Sequence, residues 1–453
     1  MRKFLFLLIC TNSIYAQCWK TVVSRHSYHC VGIQTDGTLW TWGFNNVGQL
    51  GDATLINKEV PTQIGAGTNW ESVSNHYRNS FAIKTTGTLW GWGDNSDGQL
   101  GIGNFVDKLI PTQIGIVNTW KSVSNGRDYV LAIRENGSLW AWGSNSSGQL
   151  GNGTTTAELS PIRIGTDFDW VKVEAGAASF GIKSNGTLWF WGELYNGTNT
   201  EGSNFPIQIG TDTWTDISAT YRHVIGLKTN GTIWAWGNND SGCLGRGNAS
   251  NIPSNYTATQ IGTATNWKSI AAGTDHSMAV KTNGTLWSWG ENTFGQYGNN
   301  STTASFIPLQ IGTLTNWRKV SLGYSFVTAS KTTNDRLWVW GRDNQDALGN
   351  GANGDNSIPI AIGTCTTLGE QNLEILSNSF KIYPNPVKNE LLIENLLNST
   401  IQELKIIDVL GKIVSRQNTG FNKIDLQNLE NGIYILSILT NENQIFQSKI
   451  IKN

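Results

Sequence analysis

Charge is scarce in this chain: acidic and basic residues together make up 14% of 453 residues, and the net charge is −1. No basic stripe gathers along it, which excludes the electrostatic footprint of a nucleic-acid-binding protein. The low charge does not make the chain disordered, because aromatic and β-branched residues are plentiful. Cysteine is rare as well. Five occur, none in a C-x-x-C pair, so a zinc or redox site has no support. After residue 16 no apolar run is long enough for a membrane helix. Catalytic signatures are missing too: there is no GxSxG, no HExxH and no P-loop.

Tryptophan and glycine are abundant instead. The stretch Leu39-Trp40-Thr41-Trp42-Gly43 returns six times, ending at Gly93, Gly143, Gly192, Gly237, Gly290 and Gly341. Side chains alternate along a strand, so two tryptophans two residues apart share one face. The pairs are Trp40 with Trp42, Trp90 with Trp92, Trp140 with Trp142 and Trp189 with Trp191. Trp234 with Trp236, Trp287 with Trp289 and Trp338 with Trp340 complete them. One copy could not bury such a face alone; copies stacked together can. These residues are therefore read as blade packing, not as an aromatic binding ladder.

A third tryptophan opens each unit: Trp19, Trp70, Trp120, Trp170, Trp214, Trp267 and Trp317. In the second unit, Trp70 to Ser74 alternates like a strand, and Phe81 to Lys84 reads as a second. Thr88 to Trp92 is a third, and Pro111 to Gly115 a fourth. Asp36-Gly37, Asn136-Gly137 and their counterparts predict two-residue hairpins with two positive φ angles. A repeat of this length with four strands and no helical periodicity predicts a seven-bladed β-propeller; a straight solenoid is the alternative. The fold class is all-β, with a smaller antiparallel sandwich after the propeller.

The loop after each signature reads GFNNVGQLG from Gly43, GDNSDGQLG from Gly93 and GSNSSGQLG from Gly143. Together with P-x-x-I-G and the W-x-x-V strand, it resembles the regulator-of-chromosome-condensation repeat family over residues 19–363. The double glycine of kelch repeats is missing. The fourth unit departs, reading ELYNGTNTEG after Gly192 without GQLG, which predicts a shortened loop. The glycines are expected to allow left-handed backbone and close approach of neighbouring blades. Asn45, Asn95 and Asn145 are expected to bond their own loops. Carboxylates are too few in these loops for calcium, so no metal or other cofactor is expected.

A propeller must join its last unit to its first. Laid on the joint Ile64 to Trp70, the chain ends place Cys365 at Gly67 and Cys18 at Asn69. Residues two apart lie about 5.5–7 Å apart, which overlaps disulfide Cα spacings. A Cys18–Cys365 disulfide fastening the ring is therefore expected, with Cys30 and Cys243 free.

The ends of the chain read as addresses. Met1-Arg2-Lys3, the apolar Phe4 to Cys10 and the small-residue end at Ala16 read as a signal peptide over 1–16. The propeller is placed at 17–366 and a linker at 367–379. Residues 380–453 hold short β-like runs from Glu390, Leu404, Lys412, Ile433 and Phe446. They resemble the type A C-terminal sorting domain of the type IX secretion system. The carrying residues are Tyr383, Pro384, Asn385, Pro386, Gly411, Gly432, Tyr434, Lys449 and Lys452. That resemblance implies delivery through the outer membrane by the secretion machinery, to the surface or beyond, with removal of the tail.

No catalytic constellation emerges. His29, His223 and His276 share one column of the repeat, held by Asn79, Tyr129 and Phe326 elsewhere, and read as satisfied strand-end residues. Three functions are weighed. The first is an exported monomeric, non-catalytic propeller binding protein or glycan through its variable loops. The second is a guanine-nucleotide exchange factor-like propeller, which the signal peptide disfavours. The third is a secreted polysaccharide-active enzyme.

Overall fold

In the computed structural model the described residues are 18–193, 202–250, 256–332, 336–363, 380–395, 400–408, 412–440 and 445–453. The expected signal peptide and the linker over 367–379 lie outside them, as does most of ELYNGTNTEG. The chain forms two compact units; one is Gln17–Cys365, and the other holds the tail.

In the first unit each repeat is an antiparallel sheet built in chain order. Blade 1 sets the pattern with Trp19–Val23, His29–Gln34, Leu39–Gly43 and Lys58–Gln63. Blades 2 to 7 begin their first strands at Trp70, Trp120, Trp170, Trp214, Trp267 and Trp317. Each first strand touches the next around the ring, and the first strand of blade 7, Trp317–Leu322, touches that of blade 1. A closed seven-bladed propeller results. Blades 4 and 5 share one strand, Ser203–Ala219, which is the last of one blade and the first of the other.

Seven apolar cores fill the gaps between blades, and each holds one first-strand tryptophan and one second signature tryptophan. Trp70 and Trp92 pack on Val31, Ile33 and Leu39 of blade 1. The seam between blades 7 and 1 has the same content, with Trp19 and Trp42 against Leu337, Val339 and Ile362. The two signature tryptophans differ. Trp42, Trp92, Trp142, Trp191, Trp236, Trp289 and Trp340 are fully buried, whereas Trp40 and its counterparts are half-buried.

The half-buried tryptophans carry a feature that the sequence reading missed. In blade 2, Lys84 Nζ lies 4.8 Å from the centre of Trp70 and 4.3 Å from that of Trp90. Arg134, Lys183, Lys228, Lys281 and Lys331 repeat the arrangement on their own pairs. A cation on an indole face is worth about 0.5–2 kcal/mol, more as water is excluded. Among the described residues only blade 1 lacks it, with Gln34 at that position. The rings meet because the strand between them carries a small residue: Gly32, Ala82, Ala132, Gly181, Gly226, Ala279 or Ala329. A Cβ on Gly32 would sit 2.6 Å from the Trp19 ring.

The turns correct an expectation. In blade 1, Gln34 N–H bonds Thr38 O and Gly37 N–H bonds Gln34 O, so the loop is three residues, Thr35 to Gly37. Of Asp36 and Gly37 only the glycine has a positive φ, 80°. This is a type I turn closed by a left-handed residue, not a two-residue hairpin. The Asp36 carboxylate accepts from the Thr38 N–H and hydroxyl, and Trp40 Nε1 donates to the same hydroxyl at 2.7 Å. Asn136–Ser138–Trp140 and Asn230–Thr232–Trp234 repeat this relay. The seventh unit's turn lies outside the described residues.

Each blade ends in an edge strand, and six of these contain a proline: Pro61, Pro111, Pro161, Pro206, Pro308 and Pro359. Proline removes a backbone donor and blunts edge-to-edge pairing.

The tail is two sheets around one core. Phe380–Tyr383, Glu390–Asn395 and Lys423–Asp425 make the first, and Ile401–Asp408, Ile413–Gln417, Gly432–Thr440 and Ile445–Lys452 the second. Leu391, Leu404, Leu436 and Ile450 are buried between them. Phe380–Tyr383 and Lys423–Asp425 are strands that the sequence reading did not place.

Candidate functional site

The geometry that recurs from blade to blade decides what is left for a ligand. The GQLG loop belongs to the framework. Trp92 Nε1 donates to Gln49 O at 2.9 Å, Trp142 Nε1 to Gln99 O at 2.8 Å and Trp340 Nε1 to Gln296 O at 2.8 Å. Trp42 Nε1 closes the ring by donating to Ala347 O at 3.2 Å. The last glycine of each loop lies under the next blade's indole; a Cβ on Gly51 would be 2.8 Å from Trp92 Nε1. Asn45 braces its own loop, accepting from Leu50 N–H and donating to Thr54 O and Ile56 O.

The histidine column is also framework. His29 Nε2 pairs with Ser80 Oγ at 2.8 Å and His223 Nε2 with Ser277 Oγ at 2.9 Å, one blade on. Each serine then donates to a carbonyl of the preceding loop, Gln49 O or Cys243 O. Cys30 takes the serine's place in blade 1 and donates to Ala347 O. His276 differs, with both ring nitrogens unpartnered. Cys30 and Cys243 are free and buried, and burial pushes both thiols up. Cys18 is disulfide-bonded, and Cys365 lies outside the described residues.

The two ends of the ring differ in what they present. The first-to-second turns and the signature loops share one end, because His29 pairs with Gly43 beside both. On this loop face tyrosines and arginines gather. Tyr28 stacks on Tyr324 at 4.8 Å, and Arg78 and Arg127 lie 5.0 and 5.1 Å from the Tyr77 ring. Arg222 donates to Tyr221 Oη at 3.0 Å and to Asp275 at 2.8 Å, and Arg342 lies over Phe294. Burial, with help from Tyr324, pushes Tyr28 up to about 12, and burial raises Asp128 to about 6. His26 and Tyr77 hold left-handed backbone, at φ 48° and 43°. Non-glycine residues there cost about 1–3 kcal/mol and cluster at functional sites.

Beneath that face the axis is blocked. His26 of blade 1 stacks on His76 of blade 2 at 5.4 Å and meets Tyr221 of blade 5 edge-on at 5.3 Å. Arg25 crosses the channel to Ser124 at 3.1 Å and to Glu174. From the opposite end, the hairpin face, the channel is open. A cavity of about 500 Å³ is lined by the first strands of blades 1, 2, 6 and 7. A deeper one of about 200 Å³ reaches Arg25, Lys172, Glu174 and Asp216. Burial lowers Lys172 to about 8, and burial beside Arg318 and Arg25 lowers Lys319.

In the tail, Asn385 fastens the last strand. Its side chain donates to Lys449 O at 2.7 Å and accepts from Ile451 N–H at 2.9 Å. The peptide bonds before Pro384 and Pro386 are cis. Tyr434 Oη donates to Glu430 O, Gly432 pairs with Lys452, and Lys452 is buried. Gly411 lies outside the described residues.

Comparison with known proteins matches these elements. Models of the regulator of chromosome condensation (RCC1) repeat match residues 36–83, 86–133, 136–179, 230–280 and 283–330, and a second such model 120–149, 214–243 and 267–296. The secretion system C-terminal sorting domain matches residues 381–453. Human WBSCR16 superposes with a TM-score of 0.64 at 20% identity, covering 72% of this chain and 93% of that one. Yeast RCC1 (Prp20), solved with Kap60, gives 0.64 at 17% identity, covering 82% and 87%. At such identities the likeness speaks for the fold. Ulvan lyase NLR42 of Nonlabens ulvanivorans is 34% identical over 91 residues, 19% of this chain. The chain spans 16% of that relative's length. The sorting domain marks the chain for type IX export to the cell surface or outside. Among the described residues no helix is long and apolar enough to cross a membrane.

Proposed function

The chain belongs to the RCC1 repeat family and is exported by a type IX sorting tail, and on that premise we propose that it is a non-catalytic propeller that binds a protein or glycan partner outside the cell through its loop face. The observation that carries this reading is the cluster of Tyr28, Tyr77, Tyr221 and Tyr324 with Arg78, Arg127 and Arg222 at the tips of the inner turns. Tyrosine and arginine dominate the energetic centres of interfaces. Here they stand on turns held by a rigid ring, so little ordering entropy opposes binding. The first-strand tryptophan and the second signature tryptophan of each blade are sealed between blades, and the turn residues stand apart from that packing.

A glycan and protein array probed with the mature protein tests this. A captured partner should be lost in Tyr77→Ala/Tyr221→Ala at unchanged melting temperature. Retention of the partner by that variant would move the binding surface elsewhere. Turnover of the captured glycan would make the protein an enzyme.

A further inference from the structure

The blind channel of the hairpin face is separate from the loop face, and its charge is out of keeping with the chain. Six cations and three carboxylates line its two cavities, in a chain whose net charge is −1. The carboxylates are all engaged: Glu71 with Lys20 at 2.7 Å, Glu174 with Arg25, and Asp216 with Lys172. Lys268 and Lys319 meet no carboxylate among the described residues, and Arg318 adjoins them in the same cavity. Like charges gathered on the walls of one cleft repel, and an entering anion relieves that repulsion while the walls focus its approach. The hydroxyls of Ser72 and Ser269 lie in the wall beside these cations. The far end is shut by His26, His76 and Tyr221, so a chain can enter from one side only.

We propose that this well binds the terminus of an acidic oligosaccharide, with uronate or sulfate groups against Lys319 and Lys268 and sugar hydroxyls against Ser72 and Ser269. A cavity of about 500 Å³ is the size of a small-ligand site and too narrow for a folded partner. The site is an end-reader: a polysaccharide is met at its terminus and not along its length.

Isothermal titration of the full mature protein tests this with digalacturonate as the probe. Cellobiose, tetra-aspartate and inorganic sulfate serve as comparisons. Digalacturonate should bind, more weakly as salt rises from about 50 to about 300 mM. Lys319→Met and Lys268→Ala should each weaken it about tenfold, with melting temperature unchanged or raised. Tyr77→Ala on the loop face should leave it unchanged, which keeps this site distinct from the one proposed above. Absence of binding, equal binding of cellobiose or unchanged affinity in both lysine variants would overturn the proposal. So would tighter binding of tetra-aspartate, which makes the ligand a peptide, or equal binding of sulfate, which makes it an adventitious ion only.

Discussion

His29 and His223 each hand Nε2 to a serine of the next blade, Ser80 and Ser277. His276 has no such partner, because Val327 stands in the serine's register position. Burial holds His29, His76, His223 and His276 down to about 3, from an ordinary 6.5. A histidine depressed in this way leaves stability intact above its unfolded pKa. Below that value the unfolded chain takes up protons that the folded chain refuses. Stability is therefore lost as pH falls from about 6.5 toward 3, by up to about 1.4 kcal/mol per pH unit for each histidine. Calorimetry should show a melting temperature that is level between about pH 7 and 8 and drops below about pH 6. His276→Phe should gain about 1–2 kcal/mol, since an orphaned polar ring is replaced by one that Phe326 already models in the same column. A steeper acid decline in that variant would contradict this account. At this scale the sequence revealed the buried tryptophans through their recurrence. It hid the cation clamp, because a lysine before a turn, such as Lys84, reads as a solvated strand end until both indole faces are in place.

At the scale of the element, the GQLG loop is a socket for the neighbouring blade. Gly101, which closes the loop of blade 2, and Gly115, which follows the last strand of that blade, separate two reasons for a glycine. Both hold positive φ, at 68° and 62°, but a Cβ on Gly101 would lie 2.7 Å from the Trp142 indole, while Gly115 has open space. Gly115→Ala should cost only the left-handed strain, about 1–2 kcal/mol. Gly101→Ala should cost about 1–3 kcal/mol more, from overpacking, and should disturb the near-ultraviolet signal of Trp142. Equal melting temperatures for the two variants would show that the indole is not seated as described. The loops and strands were legible because each repeats in order. The turn type was not, because an Asn-Gly pair fits either a two-residue hairpin or the left-handed close of a three-residue loop, and only the bond from Gln34 to Thr38 decides.

For the whole molecule, the seam between blades 7 and 1 carries the same tryptophan packing as every other interface, and it alone lacks a peptide link. We expect Cys18 to pair with Cys365 there. Closing so long a loop is worth up to about 5 kcal/mol in chain entropy. Non-reducing peptide mapping should recover that pair, and reduction should lower the melting temperature; two free thiols at those positions would rule it out. The sequence showed the number of blades and the address in the tail. It was silent on the channel, since Arg25 and Glu174 lie far apart along the chain and meet only when the ring shuts. The joint opposite in character is Ser203–Ala219. Between Ile209 and Trp214 the linker has one residue fewer than between Ile64 and Trp70, so the last strand of blade 4 turns at Gly210, φ 56°, and runs on into the first strand of blade 5. The ring is therefore not seven interchangeable parts. It has one double segment and five single ones, so under load or partial denaturation blades 4 and 5 should come away together, while the others part at joints held by a longer linker, side-chain packing and backbone bonds such as Ala53 N–H to Leu109 O.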